Sequence, residues 1–183
     1  MNKEHYFDYA GTCPFDETIL QEALAFSCEH WGNPSSIHEA GSDAKKALDE
    51  ARTQCAEALG VKPENIFFTS GGTESDHLAL LSVLTRPQRG SVVISAIEHP
   101  ALRELAKMIT NTGWKVITVK PDKNGIVQPE SVTEALEDDT AFVSVMAVNN
   151  ETGAIQNIYA IADAITEATK GKRRPYFHVD CVQ

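Results

Sequence analysis

The sequence has no C-x-x-C pair; its four cysteines, Cys13, Cys28, Cys55 and Cys181, stand far apart. That spacing suggests neither a zinc knuckle nor a disulfide framework, and the thiols read as packing residues. The six histidines form no H-E-x-x-H or tight His/Cys grouping, so no metal is expected. No apolar run is long enough to cross a bilayer, and the opening "MNKEHYFDYAGTCP" is polar where a secretory signal needs an apolar core. A cytoplasmic protein with no membrane partner is therefore expected. Positive charge is scarce: 16 Lys and Arg against 26 Asp and Glu give a formal charge of −10, which argues against general nucleic-acid binding. No internal repeat, low-complexity tract or Gly/Ser linker divides the 183 residues into independent halves.

What is present past residue 60 is an alternation of short β-branched runs with helix-length segments. Strands are predicted at "NIFFTS" (65–70), "SVVISA" (91–96), "WKVITVK" (114–120), "AFVSVMAV" (141–148) and "YFHVD" (176–180). Such nearly continuous apolar runs suit strands buried on both faces. Helices are predicted over 73–84, 100–111, 129–136 and 158–169, two of them led by a proline. Repeated βα units imply an α/β fold with a mostly parallel sheet and flanking helices. Residues 1–60 read instead as an N-terminal arm with two helices, closed by Gly32 and Gly60, and residues 61–183 as the α/β domain.

One stretch carries chemistry. "FTSGGTESDHLAL" (67–79) is predicted to leave a strand and open a helix, the place where open α/β sheets bind ligands. Gly71 and Gly72 permit a close backbone approach, and the Gly72 and Thr73 amides with the Ser70 and Thr73 hydroxyls can meet an anion at a helix N-terminus. The stretch lacks both the G-K-[ST] ending of a nucleotide loop and the G-x-G-x-x-G spacing, so a single phosphate group is the expected anion. The plain alternative is a tight turn with Thr73 as helix cap and Glu74 in the first turn. Three further polar clusters end strands in the same series: "EHP" (98–100), "VNNETGAIQNI" (148–158) and "HVDCVQ" (178–183). Each alone is weak, but together they converge on one rim of the sheet.

Taken in order, "YFDYAGTCP", "GNPSSIHEAG", "FTSGGTESDHLAL", "EHPA", "VNNETGAIQNI" and "FHVDCVQ" resemble the N-terminal part of the cysteine desulfurases. These are pyridoxal-phosphate enzymes of the class V aminotransferase-like group, which supply sulfur for iron–sulfur clusters and thio-modification. The likeness runs through essentially the whole chain. It implies part of the large domain of a fold-type I pyridoxal-phosphate transferase. It also implies that Gly72 and Thr73 hold the cofactor phosphate, that Asp180 pairs with the pyridine nitrogen, and that Gln183 bonds the phenolic oxygen. His99 would stack on the ring and serve in proton transfer, making it the implied catalytic residue. Asn150 would help hold the cofactor and the substrate carboxylate side, and Asn33 would organise the entrance beside the substrate or dimer contacts, the alternative for Asn33 being a plain Asn-Pro turn. Asn149 and Glu151 would shape their loop.

The implied reaction takes sulfur from L-cysteine to an enzyme thiol as a persulfide, releasing L-alanine, for delivery to a sulfur-acceptor protein. The family is homodimeric at full length. Its Schiff-base lysine, persulfide cysteine and carboxylate-binding arginine belong to segments downstream of Gln183, so these 183 residues are expected to be an inactive N-terminal portion. Cys181 occupies a variable position of the "HVD-x-x-Q" motif and reads as structural. The alternatives are another class V enzyme, a selenocysteine lyase or an aminotransferase, and a non-catalytic remnant that binds the cofactor or phosphate.

Overall fold

A computed structural model describes residues 5–183, which form two compact units, one ending at Phe68 and the other spanning Thr69–Gln183. In the N-terminal unit, helix α1 (Glu17–Glu29) opens on Asp16, whose Oδ1 accepts the amides of Thr18 and Ile19 at 2.9 and 3.1 Å. This satisfies donors that a helix start leaves unpaired. The helix ends before the expected Gly32, which is needed elsewhere: a Cβ there would fall 2.0 Å from the Ala40 carbonyl oxygen. Helix α2 (Glu39–Leu59) begins ahead of the amphipathic run "SDAKKALDEARTQCAEALG" (42–60), because His38 Nδ1 caps the Gly41 amide at 3.3 Å. It buries Gly41, Ala44, Ala47 and Ala56 and stops at Gly60, whose φ of 66° is the left-handed geometry glycine adopts freely. His30, just past α1, lies 2.6 Å from the Asp43 carboxylate of α2 and ties the two helices.

The predicted first strand is not one. Pro63–Asn65 forms a single 3-10 turn, the residues that follow lie in no sheet, and Phe67 and Phe68 are exposed. Apolar, β-favouring composition reports that a segment suits burial; a strand also needs a neighbour's N–H and C=O groups. Among the described residues none is offered to this run.

In the C-terminal unit the remaining predicted strands form a four-stranded, fully parallel sheet in the order β2-β1-β3-β4, with β1 Ser91–Ser95, β2 Lys115–Val119, β3 Thr140–Ser144 and β4 Tyr176–His178. Side-chain alternation sorts β1 and β3 onto two faces. Val92, Ile94 and Phe142 pack with Leu80 of α3 (Gly72–Leu81) and with Leu102, Leu105 and Ile109 of α4 (Pro100–Thr110). Val93 and Val143 pack with Val132 of α5 (Pro129–Glu134) and with Ile161 and Ile165 of α6 (Ile158–Ala168). Each such aliphatic side chain contributes about 1.5–3 kcal/mol by leaving water. The expected mostly parallel sheet with flanking helices is therefore present.

The strand order also fixes where a ligand belongs. From β1 the chain adds β2 on one side and then β3 on the other, so the direction of sheet growth reverses between β1 and β3. The carboxyl ends of two strands that part in this way leave a crevice between their outgoing loops. Ile109 is fully buried in the core on the α4 side. Ile109→Ala is expected to destabilise the fold by about 2–5 kcal/mol, read as a lower denaturation midpoint at unchanged slope, whereas the exposed Tyr159→Ala should change stability by no more than about 0.5 kcal/mol.

Candidate active site

At the β1/β3 reversal sits a buried carboxyl group. Glu98, two per cent exposed in the connection from β1 to α4, accepts Ser95 Oγ at 2.5 Å and the Met146 amide at 2.8 Å on Oε1, and Ser144 Oγ at 3.2 Å on Oε2. Its partners therefore come from the end of β1, the end of β3 and the segment just beyond β3. Burial pushes its pKa above the ordinary glutamate value, against the opposing pull of these hydrogen bonds and of the nearby His178. Ser144 Oγ also lies 2.9 Å from His178 Nδ1 of β4, and His178 Nε2 lies 3.4 Å from the buried Asp76 of α3.

The segment beyond β3 is held open by a second polar centre. Asn149 Oδ1 accepts the amides of Glu151 and Thr152 and the Thr152 hydroxyl, at 3.1, 2.9 and 3.0 Å, while its Nδ2 donates to the Ile97 carbonyl at 3.1 Å. An asparagine bonded to the backbone following it makes a turn without needing a strand partner. The expectation that Asn149 shapes the loop is thus met by its side chain, whereas Glu151 takes part through its backbone amide. At the far end of the loop, buried Gln156 accepts the Val127 amide at 2.8 Å and donates to the Gly125 carbonyl at 2.9 Å. Asn150, between these anchors, is half-buried.

Beyond β4 the ladder to β3 continues without being a regular strand: the Val145 amide bonds the His178 carbonyl at 3.2 Å and the Ala147 amide bonds the Asp180 carbonyl at 2.9 Å. This fixes Asp180, which is nine per cent exposed and whose Oδ1 accepts the Val182 amide at 2.9 Å. The next residue but one reaches α3. A Cβ on Gly72 would lie 2.7 Å from Val182 Cγ2, so the start of α3 and the 180–183 segment meet. Gln183 closes that segment and is exposed.

Helix α3 opens on Gly71 with no side chain capping it, and its first backbone bond runs from the Ser75 amide to the Gly71 carbonyl. The Gly72 and Thr73 amides are therefore among the donors that the helix itself leaves unpaired. Thr73 is not the cap that the plain-turn alternative supposed. Glu74 instead folds back so that its Oε2 accepts the Ser70 amide at 2.5 Å, a bond that holds its carboxyl below the usual range. His99 is the cap of α4: its Nδ1 accepts the Ala101 amide at 3.2 Å, so the neutral ring carries its proton on Nε2, and the side chain is exposed. Asn33 belongs to the N-terminal unit, where its Oδ1 accepts the Ser35 amide at 2.9 Å in the expected Asn-Pro turn.

This arrangement can be set against known proteins. The model of the family described as aminotransferase class-V matches residues 5–183. The chain belongs to that family. A cysteine desulfurase IscS of Methanosarcina thermophila is 38% identical over 184 residues, covering 100% of this chain and 44% of that protein. Among solved structures, a NifS-like protein superposes with a TM-score of 0.87 at 35% identity, covering 97% of this chain and 49% of that one. The structure described as SspA in complex with cysteine gives 0.88 at 30% identity, covering 97% and 50%. The chain thus spans about half the length of the relatives it matches, and its sheet and helices are those of class-V enzymes.

Sequence reasoning singled out His99 and Asp180 but passed over Glu98, Asp76, Ser144 and His178. Glu98 stood inside the quoted "EHP", and a lone acid at the end of an apolar strand is the only signal that would have found it. The reading of the cysteines as packing residues is corrected: all four are exposed. Cys28 lies on a helix that buries no residue, and Cys181 alternates away from buried Asp180.

Because folding raises the Glu98 pKa, the folded state binds more protons than the unfolded state between the ordinary glutamate value and the raised one. The contribution of Glu98 to stability is therefore complete below the ordinary value and is lost as pH rises through the raised value. Denaturation of the protein at successive pH values is expected to show this falling slope, and Glu98→Gln is expected to flatten it.

Proposed function

We propose that this chain is the N-terminal portion of a pyridoxal-phosphate-dependent cysteine desulfurase, carrying most of the cofactor's binding surface on α3, the β1/β3 crevice and the 180–183 segment. The observation that carries the reading is the meeting of an uncapped helix start at Gly72 with the segment beginning at the nearly buried carboxylate of Asp180. Relatives named as cysteine desulfurases, and a related structure holding cysteine, support the substrate.

The residues fit the cofactor. The absence of a Cβ at Gly72 lets Val182 approach the start of α3, and the uncapped amides of Gly72 and Thr73 suit a phosphate at the positive end of a helix. Asp180 uses Oδ1 on the Val182 amide, and its carboxylate would take the protonated pyridine nitrogen. When bound, pyridoxal phosphate supplies an electron sink that stabilises negative charge on the substrate carbon.

This chain's own residues do the rest. The Asp180 carboxylate would keep the nitrogen protonated, and Gln183 would bond the phenolic oxygen. His99, fixed at Nδ1 by the Ala101 amide, would lie against the ring and present Nε2 for proton transfer near the substrate. Asn150 contributes on the substrate carboxylate side, and Asn33 at the entrance. The sulfur acceptor is a partner protein, the working assembly is a homodimer, the location is cytoplasmic, and the product serves iron–sulfur cluster assembly or thio-modification. No helix among the described residues is long and apolar enough to cross a membrane.

The test is to supply L-cysteine and a thiol reductant to the full-length protein bearing this segment and to quantify alanine and sulfide. Equal amounts of both are expected. Formation of a keto acid without sulfide would make the protein an aminotransferase, and activity confined to selenocysteine would make it a lyase for that amino acid. In the same assay His99→Ala is expected to lower kcat by about 10²–10⁴-fold, and residues 1–183 alone should show no turnover.

A further inference from the structure

Beneath the site just described runs a buried polar chain that the proposed chemistry does not use. It begins at Glu98 Oε2, passes Ser144 Oγ at 3.2 Å, continues to His178 Nδ1 at 2.9 Å and ends from Nε2 at Asp76 Oδ1, 3.4 Å away. Glu98, Ser144 and Asp76 are all buried, and the His178 ring is stacked on Phe142, with centroids 5.5 Å apart and planes 23° from parallel. The ring is thereby held with Nδ1 bonded to Ser144 and Nε2 beside the Asp76 carboxylate. We propose that Glu98 and His178 share one proton through the Ser144 hydroxyl, so that the pair titrates as a unit and acts as a positioning element for the strand ends that carry His99 and Asp180.

The hydrogen bonds close in two ways. In one, Glu98 is a neutral acid donating from Oε2 to Ser144 Oγ, and Ser144 donates to Nδ1 of the neutral His178 ring. In the other, Glu98 is a carboxylate accepting from Ser144, and His178 is an imidazolium donating from Nδ1 to Ser144, with the Asp76 carboxylate 3.4 Å from Nε2. The two interconvert when one proton leaves Oε2 for Ser144 Oγ while the Ser144 proton leaves for Nδ1. No other bond changes and the total charge is constant. A hydroxyl is suited to the middle place because it donates and accepts together. The charged groups around the pair are Asp76 of α3, 3.4 Å from the His178 ring, and Arg86 and Arg173, which line the same cleft as His178; β3 contributes the Ser144 hydroxyl. Burial favours the neutral form of Glu98, and its hydrogen bonds with Ser95, the Met146 amide and Ser144 favour the carboxylate, so the proton is pulled in opposite directions.

Glu98 joins β1 to the segment beyond β3, and His178 precedes Asp180 on the ladder that Val145 and Ala147 hold, so the shared proton ties both ends of the site to one equilibrium. The inference stands apart from the desulfurase reading, since its readout needs no substrate. The full-length protein, carrying ¹³C-labelled glutamate and ¹⁵N-labelled histidine, would be titrated with pH and followed by NMR. In the unmodified protein the Glu98 carboxyl carbon and the His178 nitrogens are expected to shift at a common midpoint. Glu98→Gln should lower the pH at which the His178 ring passes from imidazolium to its neutral form by about one unit or more, a tenfold change in proton affinity. Ser144→Ala, which leaves both titrating groups in place, should separate their midpoints. A Glu98 signal that stays still through the His178 midpoint in the unmodified protein would overturn the proposal even if neither variant folds, and so would midpoints that remain joined in Ser144→Ala.

Discussion

A carboxyl group taken out of water must find its hydrogen bonds inside the protein, and the Glu98 carboxyl finds them across the place where two strands part. At the β1/β3 reversal the backbone ladder has ended and the outgoing loops diverge, so nothing in a parallel sheet itself holds the two ends in register. Glu98 supplies that closure with one side chain, bonded to Ser95, Ser144 and the Met146 amide. Leaving such a group unsatisfied would cost several kcal/mol, so the loops that carry His99 on one side and Asn149 on the other are fixed by a penalty more than by an attraction. The rest of the site is arranged relative to this closure.

How legible this was in the sequence differs from element to element. The β1 and β3 runs were readable because the pattern reports burial: five consecutive buried residues need helices on both faces, as a parallel sheet supplies. The β2 and β4 runs form strands as expected, but as the two edges of the sheet they are only partly buried, since composition does not tell an edge from a centre. The 65–70 run carried the same composition and became no strand, because pairing is a property of two segments and composition describes one. Helix ends were misplaced for a related reason. Gly32 looks like a helix stop, yet its lack of a side chain serves an approach to the start of α2. His38, an unremarked histidine, lengthens α2 by accepting a backbone amide.

In the sequence the candidate site stands out at the strand-to-helix turn of Gly71 and Gly72, at Asp180 and at His99, each a polar or small residue that closes an apolar run. It was illegible where ordinary residues become important through their neighbours. Ser95 and Ser144 are unremarkable in a strand pattern until Glu98 lies between them. Asp76 reads as an exposed helical acid and is buried against His178. Asn149 and Gln156 look alike as polar loop residues, yet one organises its own turn while the other reaches to a separate loop at Gly125 and Val127.

The contact between Gly72 and Val182 has a consequence for how the two positions can vary. The side-chain volume withheld at 72 is supplied from 182, so space is conserved across the pair and not at either residue alone. A methyl group gained at 72 is tolerable only if the 182 side chain swings aside or shrinks, and Val182, being largely exposed, has room to do so. The two stretches are more than a hundred residues apart in the chain, yet they behave as two halves of a single steric unit whose combined bulk decides how much room is left at the mouth of α3.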